Sequence, residues 1–183
     1  NLLMFETEGD TVVNSFSSDF GNYSDSFRKA FAQSERKLKK AINQFADENE
    51  WVRDFALFTA IKAHFGGVMW TKWPEKSIRN RRFWALWKYR RQLGEEIEFH
   101  LFCQYLFRRQ WQALKQYCNG LGILLFGDMP IYVAEDSADT WTNPQVFQLD
   151  RRRVPKRVAG VPPDYFSEDG QLWGNPLYNW DVM

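Results

Sequence analysis

The sequence predicts a protein of the α/β class, and three observations along the chain support that prediction. The first two thirds of the chain carry repeated helical patterns of apolar residues, with Arg and Lys between them. A continuous apolar run, residues 123–126, follows the last of these patterns directly, as is typical of a buried parallel strand. The rest of the chain, after Val133, is rich in Asp, Pro, Gly and aromatic residues, which predicts a long loop region.

Two helices are predicted in the N-terminal part, after a weakly patterned stretch over residues 1–23. The first helix begins near Ser24, and its apolar face consists of Phe27, Phe31, Leu38, Ile42 and Phe45. The second helix begins at Asn49, a candidate N-cap, and ends at Gly66 and Gly67. Its apolar face consists of Val52, Phe55, Phe58, Ile61 and Phe65.

A third helix is predicted from Ser77, its candidate N-cap, to Leu93, after an aromatic loop that ends at Pro74. This helix interleaves Arg with Trp and Phe, a composition that also occurs in surfaces that bind single-stranded nucleic acid. We interpret it as an amphipathic helix whose Arg side chains extend over an aromatic core. A nucleic-acid-binding helical module is therefore the weaker hypothesis.

A fourth, long helix is predicted from about Glu95 to Cys118, and Asn119 and Gly120 are predicted to end it. Cys103 and Cys118 both lie on this helix, about 22 Å apart at a rise of ~1.5 Å per residue, which is too far for a disulfide. The apolar stripe of the helix consists of Ile97, Leu101, Tyr105, Trp111 and Leu114.

The composition excludes several classes of protein. Charged residues make up 26% and the net charge is +1, so no electrostatic argument favours a dedicated nucleic-acid or membrane-surface protein. No apolar run approaches the roughly 20 residues of a membrane span, and no signal peptide is visible. We therefore predict a cytoplasmic protein without membrane or nucleic-acid partners. His64 and His100 lie in predicted helices without a partnering cysteine, so no metal site is predicted.

Aromatic residues make up 17% of the chain, including nine Trp, and the region after residue 158 combines them with rigid and polar residues. Pro162 and Pro163 stiffen the chain, and residues 164–167 then supply an acceptor, two rings and a hydroxyl. Trp173 adds a ring, and Asn175 both donates and accepts hydrogen bonds. From the residues alone, two interpretations stay open: a loop that binds a polyhydroxylated chain, or an aromatic mini-core that holds a long loop in place.

Three motifs in this region carry a resemblance to a known family. They are residues 127–133 (Gly-Asp-Met-Pro-Ile-Tyr-Val), 159–167 (Ala-Gly-Val-Pro-Pro-Asp-Tyr-Phe-Ser) and 170–178 (Gly-Gln-Leu-Trp-Gly-Asn-Pro-Leu-Tyr). They resemble the amylomaltases, which are the 4-α-glucanotransferases or disproportionating enzymes of glycoside hydrolase family 77. The agreement is close from Gly122 to Trp180 and weaker back to Trp51, and none is firm before Lys37.

The resemblance implies part of a (β/α)8 TIM barrel with inserted, largely helical subdomains. Residues 51–183 are expected on this basis to form a partial barrel with a helical insertion and a glucan-binding loop. Residues 1–50 are expected to form an N-terminal helical segment, from their helical pattern. The implied activity is transfer of α-1,4-glucan segments between maltooligosaccharides with retention of configuration, without a metal or an organic cofactor. The implied partners are α-1,4-glucans and maltooligosaccharides.

The resemblance also assigns roles to residues. Retaining transfer needs two carboxyl groups about 5–5.5 Å apart, a nucleophile and an acid/base. In the family these belong to Arg-x-Asp-His and Gly-Glu-Asp-Leu-Gly motifs, which this sequence lacks, so we expect the catalytic residues downstream of an excerpted chain. Asp128, directly after the predicted strand, and Asp164 are expected to support binding rather than catalysis. The expected substrate-binding residues are Asp128, Tyr132, Asp164, Tyr165, Phe166, Ser167, Trp173 and Asn175.

Two further alternatives stay open at this point. A barrel that has lost its chemistry would make the protein a non-catalytic α-glucan-binding protein, and the downstream carboxylates would decide between the two. Residues 150–157 (Asp-Arg-Arg-Arg-Val-Pro-Lys-Arg) are unusually basic where the family often has a short turn with Asn and Gly. This segment is either a solvated loop or a contact for an anionic partner. Asp136 and Asp139 are predicted to be turn or cap residues.

Overall fold

The computed structural model of the protein describes residues 28–33, 38–127 and 130–183. The predictions for residues 1–23, Ser24, Phe27 and Asp128 lie outside the described residues. The described parts of Asn1–Ala56 and Leu93–Met129 form one compact unit, and Leu57–Gln92 with Pro130–Met183 form a second. The boundary at residue 50 stays a prediction.

The described elements are mostly helical. Residues 28–33 form a short helical stretch. The longer elements are α1 (38–48), α2 (Trp51–His64), α3 (Lys76–Arg79), α4 (Phe83–Gln92), α5 (Gly94–Gly120), α6 (Ala138–Thr142), β1 (Val158–Val161) and β2 (Gln171–Pro176). Short 3-10 turns lie at Trp70–Lys72 and Pro144–Val146.

The first unit has a core built from the predicted helical faces. Its buried residues are Phe31, Ile42, Phe45, Ala46, Val52, Ala56, Phe99, Leu101 and Phe102. Both guanidinium nitrogens of Arg28 donate to the Glu96 carboxylate, at 3.1 and 2.8 Å, and the Arg28 guanidinium lies 4.2 Å from the centre of the Phe99 ring. The hydrogen bond from Arg28 is the main cause that lowers the pKa of Glu96. The stretch 28–33 is thereby tied to α5.

The predicted C-terminal end of α2 is confirmed, but its predicted N-cap is not. Gly66 and Gly67 follow the helix as predicted, and their amides donate to the carbonyls of Ala63 and Lys62, at 2.9 and 2.8 Å. At the other end, Asn49 was predicted to cap α2, but its side-chain nitrogen donates to the Phe45 carbonyl of α1 at 2.9 Å. Only two residues separate α1 from α2, so the Asn49 side chain reaches the last turn of α1 and satisfies a carbonyl there.

The predicted third helix is wrong as a single element, because it divides into α3 and α4. Arg81, between them, has a positive φ of 50°, which a continuous α-helix does not accommodate. Glu75, rather than Ser77, occupies the N-cap position of α3. The interpretation of Arg side chains over an aromatic core holds in part, since the Arg81 guanidinium lies 4.3 Å from the centre of the buried Trp141 ring. Only one face of α4 joins that core. Its buried residues, Ala85 and Tyr89, lie four residues apart on one face, and Phe83, Trp84 and Trp87 are exposed.

The end of α5 shows why residues 123–126 do not form the predicted buried strand. The Ile123 amide donates to the Cys118 carbonyl at 2.9 Å and the Gly122 amide to the Asn119 carbonyl at 3.0 Å, which is a Schellman motif around Gly122 at φ 76°. Residues 123–126 have no regular secondary structure, and Leu124 and Phe126 are exposed. A strand needs a neighbour's hydrogen bonds, and no ladder among the described residues includes 123–126.

The predicted stripe along α5 is buried only in its first half. Leu101 is buried, and Ile97 and Tyr105 pack partly buried against the core of the first unit. Trp111 and Leu114, about two turns or more further along, are exposed. Cys103 and Cys118 are both free thiols, as predicted.

The second unit is organised around three buried tryptophans, Trp70, Trp73 and Trp141. The rings of Trp73, Trp141 and Phe58 meet edge-on or tilted, with centroids 5.6 Å apart for Trp73 and Trp141 and 5.8 Å for Phe58 and Trp141. Each indole N–H has an acceptor. Trp70 donates to the carbonyl of Glu135 at 3.0 Å, Trp73 to that of Val68 at 2.9 Å, and Trp141 to that of Ile78 at 3.1 Å.

Trp141 reaches this core from α6, inside the region predicted as a long loop. Ser137 begins α6 with a capping box, since its hydroxyl and that of Thr140 satisfy each other's backbone amides. Asp136, predicted to be a turn or cap residue, accepts from the Trp70 amide at 3.0 Å and pairs with Lys62 at 2.8 Å. The prediction of a region without regular structure is therefore wrong, because side-chain hydrogen bonds and buried rings order it.

The second unit also contains a two-stranded antiparallel sheet. Strand β1 pairs with β2 in the register Val158↔Pro176, Gly160↔Leu172 and Val161↔Gln171, with an irregularity between Val158 and Gly160. An isolated bridge joins Phe147 to Tyr178 and continues the pairing beyond β2. The sheet therefore presents residues 162–170 as the loop that connects its two strands.

We expect Trp141→Ala to lower the free energy of unfolding by about 3–5 kcal/mol, because it empties a buried site and removes the indole hydrogen bond to the Ile78 carbonyl. Trp84→Ala, at an exposed position of α4, is the matched control and should cost less than about 1 kcal/mol. Urea unfolding of the full-length protein, followed by circular dichroism, measures both. Equal losses for the two variants would show that the tryptophan cluster does not stabilise the unit.

Candidate functional site

The loop at residues 162–170 is shaped by the carboxylate of Asp164. One oxygen of that carboxylate accepts from the backbone amides of Phe166, at 2.9 Å, and Ser167, at 2.8 Å. The Asp164 amide in turn donates to the Ser167 carbonyl at 2.9 Å, and the Ser167 hydroxyl donates to the Gly170 carbonyl at 2.8 Å. The side chains of Asp164 and Ser167 thus order the loop from within. The second carboxylate oxygen of Asp164 makes no hydrogen bond within the described chain.

The rings at the tip of this loop face solvent. Tyr165 is 96% exposed and Phe166 90%, and their rings meet at right angles with centroids 5.6 Å apart. The interpretation of the region as an aromatic mini-core does not apply to these two rings, because they bury almost nothing. Two large rings held outward on a hydrogen-bonded turn form a surface that an apolar face of a ligand can contact.

Gly170 closes the loop in a way that no other residue would allow without strain. Its φ is 72°, and a Cβ at this position would lie 2.5 Å from the Val161 carbonyl oxygen. The close approach of Gly170 to Val161 brings the two ends of the loop together next to the last residue pair of the sheet, Val161 and Gln171. The tip residues therefore project from a closed base.

A second group of aromatic rings forms a row along the sheet. Tyr132 contacts Trp173 edge-on at 6.1 Å and is stacked on Tyr178 at 6.3 Å with an interplanar angle of 12°. Tyr178 in turn contacts Phe147 at 5.4 Å and Trp180 at 5.5 Å. We call Trp173, Tyr132, Tyr178 and Trp180 the ring row. Phe147 is buried beneath Tyr178, and Trp173 is 46% exposed.

Hydrogen bonds fix the orientation of the ring row. The indole N–H of Trp173 donates to the side-chain oxygen of Gln171 at 2.9 Å. The side-chain nitrogen of Asn175 donates to the Val133 carbonyl at 3.0 Å, which holds the segment that carries Tyr132 against β2. Burial is the main cause that raises the pKa of Tyr178, so its phenol stays protonated and can donate.

Most of the predicted binding residues thus fall into two groups in one unit. Asp164, Tyr165, Phe166 and Ser167 make up the loop at the end of the sheet, and Tyr132, Trp173 and Asn175 make up or hold the ring row. Asp128 lies outside the described residues. Asn175 and Ser167 are engaged in holding the backbone, so their positions suit a supporting role.

Sequence reasoning missed two residues of the site. Gln171 was not singled out, although its spacing of two from Trp173 on a strand is the signal that places both side chains on one face. Tyr178 was quoted only as part of a motif, yet it is the central ring of the row. Its pairing with Phe147, 31 positions earlier, has no local sequence signature.

Two kinds of site are absent from the described part of the chain. No group of three or more His, Cys, Asp or Glu side chains there is placed to hold a metal ion. No helix among the same residues combines the length and the apolar character needed to cross a membrane.

Comparisons with known proteins agree on one family. A family model described as 4-α-glucanotransferase, glycoside hydrolase family 77, matches residues 18–183. A 4-α-glucanotransferase of Thermus thermophilus is 50% identical over 157 residues, and one of Synechocystis is 46% identical over 162 residues. These alignments cover 86% and 85% of this chain. The chain spans only 31% and 32% of those two relatives.

A solved structure gives the same result in three dimensions. It is an amylomaltase from Streptococcus agalactiae in complex with acarbose, to which the chain is similar with a TM-score of 0.79 and 43% sequence identity. The match covers 96% of this chain and 34% of that one. This likeness supports the predicted α/β class, although the described residues alone are helical with one small antiparallel sheet.

We expect Asp164→Ala to open the loop, because the amides of Phe166 and Ser167 lose their common acceptor. Asp164→Asn keeps a side-chain oxygen in the same position and should keep the loop closed. Hydrogen–deuterium exchange of residues 162–170 in the full-length protein measures this, and we expect the two amides to exchange about tenfold faster in the alanine variant. Unchanged exchange in Asp164→Ala would show that the carboxylate does not order the loop.

Proposed function

The chain belongs to the 4-α-glucanotransferase family, glycoside hydrolase family 77, and we propose that the full-length protein transfers α-1,4-glucan segments between maltooligosaccharides with retention of configuration. The observation that carries this proposal is the exposure of Tyr165 and Phe166 on an ordered loop. The loop connects the two strands of the sheet, and Trp173 of β2 belongs to the ring row. We further propose that the full-length fold is a (β/α)8 TIM barrel with inserted helical subdomains. The cytoplasmic location stays a prediction.

The proposed ligand follows from the chemistry of the exposed groups. The faces of a glucose ring carry C–H groups, and its edge carries hydroxyls, so an aromatic face and a nearby hydrogen-bonding group bind it together. Tyr165, Phe166 and Trp173 supply aromatic faces. Each of these two groups also carries a polar atom that can bind a sugar hydroxyl. On the loop it is the second carboxylate oxygen of Asp164, and on the ring row it is the hydroxyl of Tyr132.

The aromatic surface also fits transfer rather than hydrolysis. A covalent glycosyl–enzyme intermediate in a retaining enzyme is attacked by whichever acceptor occupies the site, sugar or water. Rings that stack on an incoming glucan raise the occupancy of the acceptor and displace water from the apolar faces. The proposed role of Tyr165, Phe166 and Trp173 is therefore to favour a glucan acceptor over water.

Two of the described carboxylates, Asp164 and Asp136, fit supporting roles in this scheme. Asp164 uses one oxygen for the loop backbone, and Asp136 is engaged with Trp70 and Lys62. A nucleophile or a general acid needs a carboxyl group that is free to reach the reacting atoms. We propose that the nucleophile Asp and the acid/base Glu belong to the part of the full-length protein outside this chain.

The direct test is incubation of the full-length protein with maltotriose. Disproportionation produces glucose together with maltopentaose and longer oligomers, which chromatography of the products resolves. The proposed activity predicts both products without net gain of reducing ends. Binding of maltotriose without any product would instead identify a non-catalytic glucan-binding protein, and release of glucose and maltose alone would identify a hydrolase.

We expect Trp173→Ala to raise the KM for a maltooligosaccharide acceptor about tenfold, which corresponds to a loss of about 1.4 kcal/mol of stacking and burial. The ratio of hydrolysis to transfer should rise as well, because water replaces the weakened acceptor. Both quantities are measured with the full-length protein on maltotriose, and Trp84→Ala on α4 is the matched control. An unchanged KM and an unchanged ratio in Trp173→Ala would exclude an acceptor role for this ring.

A further inference from the structure

The basic segment 150–157 is a tight hairpin with a defined turn. The Asp150 amide donates to the Val154 carbonyl at 2.8 Å, and the Lys156 amide donates to the Gln148 carbonyl at 2.8 Å. A bridge pairs Leu149 with Pro155. The segment is therefore an ordered projection from the second unit, and we call residues 150–157 the basic hairpin.

The carboxylate of the hairpin is used by its own backbone. One oxygen of Asp150 accepts from the amides of Arg152, at 2.7 Å, and Val154, at 2.9 Å. The hydrogen bond from the Val154 amide is the largest cause that lowers the pKa of Asp150. Asp150 therefore stays ionised as the anchor of the turn.

Five cationic side chains stand against this single carboxylate: Arg151, Arg152, Arg153, Lys156 and Arg157. All are exposed except Arg153, which is half-buried. The charges of Arg152 and Lys156 act on Asp150 at longer range. Within residues 28–33, 38–127 and 130–183, none of the five forms a salt bridge with a carboxylate. The hairpin thus concentrates like charges that repel one another until an anion binds.

Backbone hydrogen bonds connect the basic hairpin to the ring row. The Gln148 amide donates to the Leu177 carbonyl at 2.8 Å, and the Leu177 amide donates to the Arg157 carbonyl at 3.4 Å. The side-chain nitrogen of Gln148 also donates to the Tyr178 carbonyl at 3.0 Å. Paired chain segments lie about 5 Å apart, so the cations at the base of the hairpin are neighbours of residues 177 and 178, which follow β2.

We propose that the basic hairpin binds phosphate monoesters carried on an α-glucan. This inference rests on the proposed function, because it assumes that a glucan binds along the ring row. It adds that a phosphate on that glucan contacts the basic hairpin. A neutral sugar offers no charge to complement five cations. A phosphate monoester on a sugar bound along the ring row would supply that charge, and the planar guanidinium of Arg matches phosphate with two parallel hydrogen bonds.

The test compares two forms of one substrate in the full-length enzyme. The donors are amylopectin that carries phosphate monoesters and the same amylopectin after phosphatase treatment, with maltose as the acceptor. We expect the wild-type enzyme to be half-saturated at an about five- to tenfold lower concentration of the phosphorylated form. In Arg151→Gln/Arg152→Gln this difference should disappear, while the disproportionation of neutral maltotriose stays at the wild-type rate.

A matched control removes the same charge elsewhere. Arg108→Gln/Arg109→Gln changes two exposed arginines of α5, and it should keep the preference for the phosphorylated form. Equal half-saturation for both forms in the wild-type enzyme, or an unchanged preference in Arg151→Gln/Arg152→Gln, would overturn the inference.

Two further outcomes separate this inference from its alternatives. Salt-sensitive binding of single-stranded RNA that is lost in Arg151→Gln/Arg152→Gln, without a preference for phosphorylated amylopectin, would overturn it in favour of a nucleic-acid surface. Absence of maltotriose disproportionation in the wild-type enzyme would refute the proposed function itself. Disproportionation with no phosphate preference would refute only the role of the hairpin.

Discussion

The second unit depends on one constraint, which is that three large indole rings are buried and each must keep its N–H hydrogen-bonded. A buried donor without an acceptor costs about 1–3 kcal/mol, so the acceptors of Trp70, Trp73 and Trp141 are fixed along with the rings. These acceptors are backbone carbonyls of Glu135, Val68 and Ile78. The tryptophan cluster therefore joins the end of α2, the turns around α3 and the start of α6 into one scaffold.

That scaffold determines where the candidate site lies. Trp141 anchors α6, and the chain then passes through the turn at Pro144–Val146 to Phe147, which pairs with Tyr178. Tyr178 stacks on Tyr132, and Tyr132 contacts Trp173. The ring row is thus held by the buried Phe147 against its central ring, Tyr178, and by β2 at Trp173. The loop tip at Tyr165 and Phe166 is held by hydrogen bonds within the loop.

The contrast between these two groups suits a site for a polymer. The ring row is ordered by packing, so it can bind a sugar chain without a large loss of side-chain entropy. The loop of residues 162–170 carries two rings, Tyr165 and Phe166, whose surface is almost entirely exposed. Burial of that apolar surface against a ligand would stabilise the complex. The proposed transfer needs both properties, because one part of the glucan must stay bound while the acceptor exchanges.

The sequence predicted those features that depend on local pattern. The helical faces around Phe31, Ile42 and Val52 are buried as their spacing indicates. The loop at residues 162–170 contains the prolines and rings that the sequence singled out, and its role in binding glucan stays a prediction. The family resemblance was confirmed by the comparisons. The individual roles of the binding residues, including that of Asp128, stay predictions.

The features that the sequence could not supply depend on distant partners. The run at residues 123–126 has the composition of a strand, but a strand forms only beside another, and the described residues contain none for it. The exposure of Trp84 and Trp87 could not be predicted from an amphipathic pattern, because either face of α4 carries apolar residues. Likewise, the pairing of Phe147 with Tyr178 brings together residues far apart in sequence.

The most direct measurement is a crystal structure of the full-length protein with a bound maltooligosaccharide. We expect glucose rings in van der Waals contact with Tyr165, Phe166 and Trp173, and a sugar hydroxyl within hydrogen-bond distance of the second carboxylate oxygen of Asp164. A glucan bound elsewhere, with these three rings packed against other parts of the protein, would contradict it.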